Sequence, residues 1–408
     1  MRHSVVIVGA GPAGAVLAYL LAKSGICVTL LERHVDFQRE FRGEILMPSG
    51  LEPLSQIGLW DQMNQVPHVS LEGIKVFING RQGISLDFHE QLFGEFNPRW
   101  VSQPHLLEMI VGECGRFDNF KLLRGTRVRD LIKENNRIVG VIAEQNQARL
   151  ELRADLVIGA DGRTSRVRHA LNLPQRSDAM PMDIVWLKVP GPPFLEPKIR
   201  AYAGKGRLLF AAPTYDNHLQ LGFIIRKGSF REIRERGYPE LLDEMARFVD
   251  PVLGAHLAQF RDSISNPFLL STVSDCLVDW TYPGSFLIGD AAHTMSPVGG
   301  QGLNIAIRDA IVSANHLIPV LSSDGPLPLL EQTTRLIQAQ RNEEVNTIQK
   351  IQALPPKVLL RDTWWSRLLF YILLKVTHGR SKTVKTIDKQ GMFGKFTSGV
   401  TEVVWLDP

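Results

Sequence analysis

The pattern of apolar and polar positions divides the chain into alternating strand-like and helix-like runs. Ser4 to Val8 is apolar and β-branched, as a buried strand should be. Pro12 to Ser24 reads as a helix, and Gly25 closes it. Ile26 to Leu31 is the next parallel strand, so the three elements form a βαβ unit. Ser49 to Met63 predicts a helix. Residues 71–88 predict two strands joined at Asn79-Gly80, a dipeptide suited to a two-residue hairpin turn. Pro104 to Cys114 predicts another helix. Residues 126–154 alternate in patches and turn at Asn135-Asn136, which predicts a small antiparallel meander. Leu156 to Ile158 then returns to the parallel sheet.

From about residue 176 to 275 the pattern changes. Ile184 to Val189 and Leu219 to Ile225 are strand-like, and Tyr238 to Phe248 is helical. A mainly antiparallel sheet with helices is expected there. Ser285 to Ile288 predicts the last parallel strand. Helices follow from about Gly302 to Pro319 and from Leu329 to about Ile351.

Composition adds limits. The 408 residues suffice for two domains, and 44% hydrophobic with 22% charged is ordinary for globular protein. The net charge of +4 comes without a dense basic stripe, which argues against nucleic acid as a partner. Cys27, Cys114 and Cys276 are far apart and odd in number. They suit reduced thiols and a cytoplasmic location. Val5 to Ala22 has the apolarity of a signal peptide, but a strand, a turn and a helix explain its glycine spacing better. No stretch has the length and apolarity of a membrane span.

Three glycine-rich elements carry the chemistry, and each follows an apolar strand-like run. The first is Gly9-Ala-Gly11-Pro-Ala-Gly14. Gly9 allows the tight turn, Gly11 a close approach to a pyrophosphate, and Gly14 close helix–strand packing. Amides at the helix start would hold the phosphates. Glu32 ends the second strand and suits the adenosine ribose hydroxyls. Its charge repels a 2′-phosphate, so this site should hold FAD or NAD rather than NADP.

The second element, Gly159-Ala-Asp161-Gly162, opens a turn that leads into a helix at Ser165, Arg166 and Arg168. Asp161 is placed to order water or a hydroxyl near the pyrophosphate, and Arg168 to hold the turn through carboxylates. Which arginine faces the cofactor stays open at this level. The third element runs from Gly289-Asp290 through His293 and Pro297 to Gly299-Gly300-Gln-Gly302-Leu303-Asn304. Asp290 suits ribityl hydroxyls, and Pro297 can press on a ring system. Gly299, Gly300, Gly302 and Leu303 bring amides towards a flavin edge. Those donors, with a helix N-terminus near Gly302, would stabilise negative charge on the reduced ring. His293 reads as a loop-fixing residue rather than a base. No residue set has metal-ligand spacing.

The three elements together point to one FAD site built from distant parts of the chain. The expected fold is α/β: a discontinuous Rossmann-like FAD-binding domain with an inserted antiparallel-sheet α+β substrate domain and a helical C-terminal segment. The expected division is 1–175 (first FAD-binding part, with a small β-meander insertion), 176–275 (substrate domain), 276–350 (last FAD-binding part) and 351–408 (helical segment and tail).

These residues resemble the single-component FAD-dependent aromatic-ring hydroxylases, the class that includes p-hydroxybenzoate hydroxylase and the ubiquinone-pathway hydroxylases. Gly9, Gly11, Gly14 and Glu32 match its first motif. Asp161, Gly162, Ser165 and Arg168 match the second, which serves FAD and reduced nicotinamide together. Gly289, Asp290, Pro297, Gly299, Gly302 and Asn304 match the third. Arg42-Gly43-Glu44, Pro48, Gly50, Leu54 and Gly58-Leu59 are similar to the segment after the second strand, whose arginine contacts the flavin side of FAD. Gln103 resembles a cofactor-touching residue at a helix start.

The resemblance implies a monooxygenase. NADPH or NADH would bind transiently and reduce the flavin. O2 would add at flavin C4a, and the hydroperoxide would transfer one oxygen atom to an aromatic or similarly electron-rich small molecule. It also implies that Pro297 and Gly299 form the flavin-ring environment, with no side-chain base assigned. The alternative is a flavin dehydrogenase, reductase or halogenase acting on a lipophilic or prenylated substrate. The Trp and Tyr boxes of the tryptophan halogenases and geranylgeranyl reductases are absent.

No residue stands out as substrate-binding. Sheet packing alone would account for Trp186, Phe210 and Phe223, and the aromatic stretch from Phe88 to Val101 either lines a cavity or fills a core. A pocket rich in Arg and His would suit an acidic phenol, and an apolar one a polyketide or prenylated ring. After Pro355-Pro356 the chain turns basic: residues 341–408 hold 11 Lys or Arg against 6 Asp or Glu. Trp364 to Lys375 is apolar with basic flanks. It either rests peripherally on a membrane or packs on the FAD-binding domain or a homodimer partner.

Overall fold

A computed structural model describes residues 3–38, 44–88, 95–178, 180–204, 206–264, 267–323 and 327–353. The basic, apolar segment 364–375 and the tail lie outside the described residues, as does the C-terminal helical segment expected beyond residue 353. Among the described residues no helix is long and apolar enough to cross a membrane.

Two large sheets organise the chain. The first has six strands in the order Thr281–Tyr282, Ser285–Leu287, Leu156–Gly159, Ser4–Val8, Cys27–Leu31 and Phe120–Leu123. All its pairings are parallel except the first. Its strands are short apolar runs because both faces are covered. On one face pack the helices Pro12–Lys23 and Gly302–Leu321, whose side chains are largely buried. On the other face lie the meander Thr126–Glu134, Arg137–Gln145 and Ala148–Arg153 and part of the helix Leu327–Gln352. Asn135 and Asn136 turn the meander with φ of 47° and 61°, values an asparagine pair tolerates.

The second sheet has seven strands: Phe268–Leu270, Met182–Pro190, His218–Arg226, Arg207–Pro213, Lys198–Gly204, Gly73–Ile78 and Arg81–Asp87. It is antiparallel apart from the pairing of Lys198–Gly204 with Gly73–Ile78. The hairpin at Asn79-Gly80 therefore forms as expected, but it joins this sheet. It lies within residues 1–175, the stretch expected to form the first FAD-binding part.

Side chains alternate across the second sheet with a period of two. Val185, Leu187, Leu209, Leu221 and Phe223 face the helices Tyr238–Phe248 and Pro251–Ala258 and form one core with them. Ile184, Trp186, Phe210, Ala212, Gln220 and Ile224 face the other way, into a cavity.

One expected helix is two. The chain forms Pro48–Gln56 and Trp60–Gln65, broken at Gly58, whose φ of +83° no helix interior accepts. A loop from 57 to 59 turns the second helix away.

Candidate active site

The parallel strands all point one way, so the turns that follow them gather at one edge of the sheet. Gly9 follows Ser4–Val8, Glu32 follows Cys27–Leu31, Asp161 follows Leu156–Gly159 and Asp290 follows Ser285–Leu287. Such an edge, where connections leave in opposite directions, is where open α/β sheets bind dinucleotides. All four residues line a single cavity of about 1320 Å³, which continues to the open face of the seven-stranded sheet.

Glycine shapes the first turn. Gly9 has φ of +101°, and a Cβ there would lie 2.5 Å from the Ala160 carbonyl oxygen. A Cβ on Gly14 would collide with the Gly9 carbonyl oxygen, so the helix packs onto the turn only because Gly14 lacks one. Gly14 is buried behind the cavity wall. Gly11 is part of the wall, and a Cβ on it would meet nothing nearer than Ala160 O at 4.0 Å.

Glu32 is only 3% exposed. Its carboxylate accepts from Ala10 N and His34 N, each at 3.1 Å, which ties the glycine turn to the end of the second strand. The same carboxylate lines the cavity, where an acceptor suits ribose hydroxyls.

At the second element the Asp161 carboxylate serves the protein. It accepts from Ser165 Oγ at 2.5 Å, Arg166 N at 2.6 Å and Val167 N at 3.3 Å, and so caps the helix Arg166–Leu171. Burial pushes its pKa up against these bonds. Asp161 and Gly162 still line the cavity, and a Cβ on Gly162 would meet nothing within 4 Å. Arg163 and Arg166 line the cavity as well. Arg168 turns inward, 3.7 Å from Asp275 and bonded to the carbonyls of Arg163 and Ala291, which anchors the Asp290 loop to this turn.

Asp290 pairs with Arg163 at 3.1 Å, both side chains being 30% exposed. Pro297, Gly299, Gly300, Gly302 and Leu303 follow along the wall, and Gln103 closes it from the start of the helix Gln103–Cys114. Gly299 and Gly300 have φ of +74° and +62°. A Cβ on Gly300 would strike Ile45, and one on Gly302 would meet nothing within 4 Å.

Asn304 lies behind the wall. Its amide accepts from Met47 N at 2.9 Å and donates to Ile45 O at 3.2 Å and Gly300 O at 2.9 Å, so it clamps the glycine loop to the 45–50 segment. Arg42 lies outside the described residues. His293 is buried away from the cavity, with Nε2 2.7 Å from Asp309 and its ring 4.8 Å from the Trp280 ring centroid. It contacts protein groups and is not part of the cavity wall.

These facts test the fit of FAD. Bare backbone at Gly11, Gly162 and Gly302 faces one continuous space, with carboxylates at Glu32 and Asp290. The residues present suit a dinucleotide laid along the sheet edge.

The sequence matches a family model described as FAD binding domain over residues 2–343. It is 31% identical over 358 residues to 6-methylpretetramide 4-monooxygenase of Streptomyces rimosus, covering 87% of this chain and 84% of that one. The chain belongs to the FAD-dependent aromatic hydroxylases. It is a flavoprotein monooxygenase whose cofactor is FAD. This hydroxylase is also 27% identical over 347 residues to squalene epoxidase 1 of Arabidopsis thaliana. That match covers 79% of this chain and spans 60% of the relative's length. The fold matches that of p-nitrophenol 4-monooxygenase from Pseudomonas putida with a TM-score of 0.80 at 19% identity, over 97% of this chain and 98% of that one.

The hydroxylase has features that sequence reasoning missed. Glu44, Trp100 and Gln220 meet in one cavity from separate elements, and no spacing signals that meeting. The cluster around Asp309 was equally hidden. Its carboxylate accepts from Gly289 N at 2.8 Å and contacts His293 and Arg341, each at 2.7 Å. Of the aromatic candidates, Trp186, Phe210, Phe88 and Trp100 line the cavity, whereas Phe223 packs on Phe248 on the opposite face.

Proposed function

We propose that this monooxygenase hydroxylates a large, mainly apolar polycyclic aromatic substrate. One observation carries the reading: the seven-stranded sheet presents a broad apolar wall to the cavity. Ile184, Trp186, Leu208, Phe210 and Ile224 are set among the small residues Ala201, Ala203 and Ala212. Among the described residues Gln220 is the one polar side chain that this sheet adds. The small residues leave room for a flat, extended ring system, and no Arg or His of the sheet is there to hold a carboxylate. The similarity to an enzyme that acts on a pretetramide points the same way.

FAD, when bound, supplies the electron storage and oxygen activation that no side chain offers. Reduced nicotinamide is the electron donor usual in this family. The chain's own work is placement and shielding. The amides of the Gly9–Gly14 turn and the helix N-terminus there hold the pyrophosphate. Glu32 takes the adenosine ribose, and Asp290 takes the ribityl hydroxyls. Backbone amides between Gly299 and Leu303 would stabilise negative charge at the ring edge, aided by the positive end of the helix Gly302–Leu321. The apolar wall excludes water from the ring that receives oxygen.

The test is a screen of substrate-stimulated NADPH and NADH oxidation under ¹⁸O2. Hydroxylated naphthalenes and anthraquinones are compared with small hydroxybenzoates. One ¹⁸O atom should enter a polycyclic product. Coupled turnover of hydroxybenzoates alone would refute the substrate class while leaving the monooxygenase assignment intact.

A further inference from the structure

Glu44 stands apart from the other charged groups of the cavity. Among the described wall residues, the remaining ionisable side chains come from the parallel-sheet loops and the meander, at the dinucleotide end. Glu44 precedes the strand Ile45–Leu46, against which Gly300 and Asn304 of the glycine loop pack. It therefore sits where the loop proposed to hold the reactive ring meets the apolar wall. Trp100, paired with Ile45 in the neighbouring strand, donates its indole N–H to Glu44 Oε2 at 2.9 Å. That bond orients the carboxylate, and among the described residues no hydrogen bond reaches Oε1.

We propose that Glu44 is a catalytic residue that accepts first the hydrogen bond and then the proton of a phenolic hydroxyl on the substrate ring. The proposal rests on the substrate reading above. The phenolic O–H bond breaks, its electron pair stays on oxygen and conjugates into the ring, and the proton bonds to Glu44 Oε1. The ring becomes a better acceptor of electrophilic oxygen. The proton leaves in the water that the monooxygenase reaction forms.

The electrostatics agree. Burial raises the Glu44 carboxyl to about 7, opposed by the Trp100 hydrogen bond and by Lys188, while Asp216 pushes the same way as burial. A base that titrates near the working pH is well matched to proton transfer. Lys188 is itself paired with Asp216 at 2.5 Å, so its charge is partly spent.

The experiment measures binding of 2-naphthol and its methyl ether, 2-methoxynaphthalene, to the FAD-loaded oxidised enzyme. The readout is perturbation of the flavin absorbance, over a pH range in which free 2-naphthol stays neutral. The wild-type enzyme should prefer naphthol by about tenfold above pH 7, the worth of a hydrogen bond to a charged group. The preference should fade below that pH as Glu44 takes up its own proton. Glu44→Gln should bind FAD normally but show a small, pH-independent preference. Trp100→Phe keeps the carboxylate and removes a bond that lowers its pKa, so the pH midpoint should move up. A wild-type preference that is absent or flat with pH overturns the proposal, as does one unchanged in Glu44→Gln. Failure of wild-type protein to bind either naphthalene also counts against it. Failure to bind FAD would instead sink the flavoenzyme reading beneath it.

Discussion

Single residues show how little slack the site has. Gly222 lies under Trp186, and a Cβ there would come within 2.7 Å of the indole Cζ3. Gly222→Ala should push Trp186 into the chamber, at an overpacking cost of about 1–3 kcal/mol. FAD content should hold while the KM for a polycyclic substrate rises; an unchanged KM would remove Trp186 from the substrate wall. Asp309 is a residue of stability. Burial alone would raise its carboxyl, but His293 and Arg341 against it bring it from an ordinary 3.8 down to about 2. A depressed folded-state pKa means that the contribution is complete above about pH 4 and is lost as pH falls through about 2. Asp309→Asn removes one of the two carboxylates against the buried Arg341, leaving Glu344, and should cost up to roughly 3–5 kcal/mol. Thermal melts should show that loss at neutral pH, shrinking in acid. At this scale the glycines and Glu32 were legible, since each answers a local backbone or strand-end demand. Asp309 and Glu44 were not, because their meaning comes from partners far along the chain.

Elements were mostly readable where periodicity was strong. The helix Tyr238–Phe248 and the meander follow directly from apolar spacing and from asparagine turns. The break at Gly58 was missed because Ser49 to Met63 keeps helical apolar spacing, and positive φ leaves no mark in that spacing. The contact between elements matters more for function. Asn304 joins the glycine loop to the 45–50 segment, and a Cβ on Gly50 would strike its amide oxygen. Asn304→Ala removes three hydrogen bonds and should cost about 1–3 kcal/mol. Since both joined segments line the cavity, FAD affinity should fall with stability; a melt that drops with FAD affinity intact would separate the clamp from the cofactor site.

At the scale of the whole molecule, one cavity joins the edge of a parallel sheet to the face of a mixed one. FAD filling the first should stabilise both. FAD at a hundred times its Kd adds about 2.7 kcal/mol. Stripping the cofactor should lower the Tm, and adding FAD back should restore it; an unmoved Tm would mean that the glycine turns do not hold the dinucleotide. The strand–turn–helix units, the three glycine elements and the FAD family they resemble were all readable along the chain. Short-range sterics and apolar periodicity govern such features, and both are written locally. It took the folded chain to show that the Asn79-Gly80 hairpin belongs to the seven-stranded sheet and that Glu44, Trp100 and Gln220 share one chamber. Those outcomes depend on strand pairing between residues more than a hundred positions apart, and on which face of a strand ends up buried.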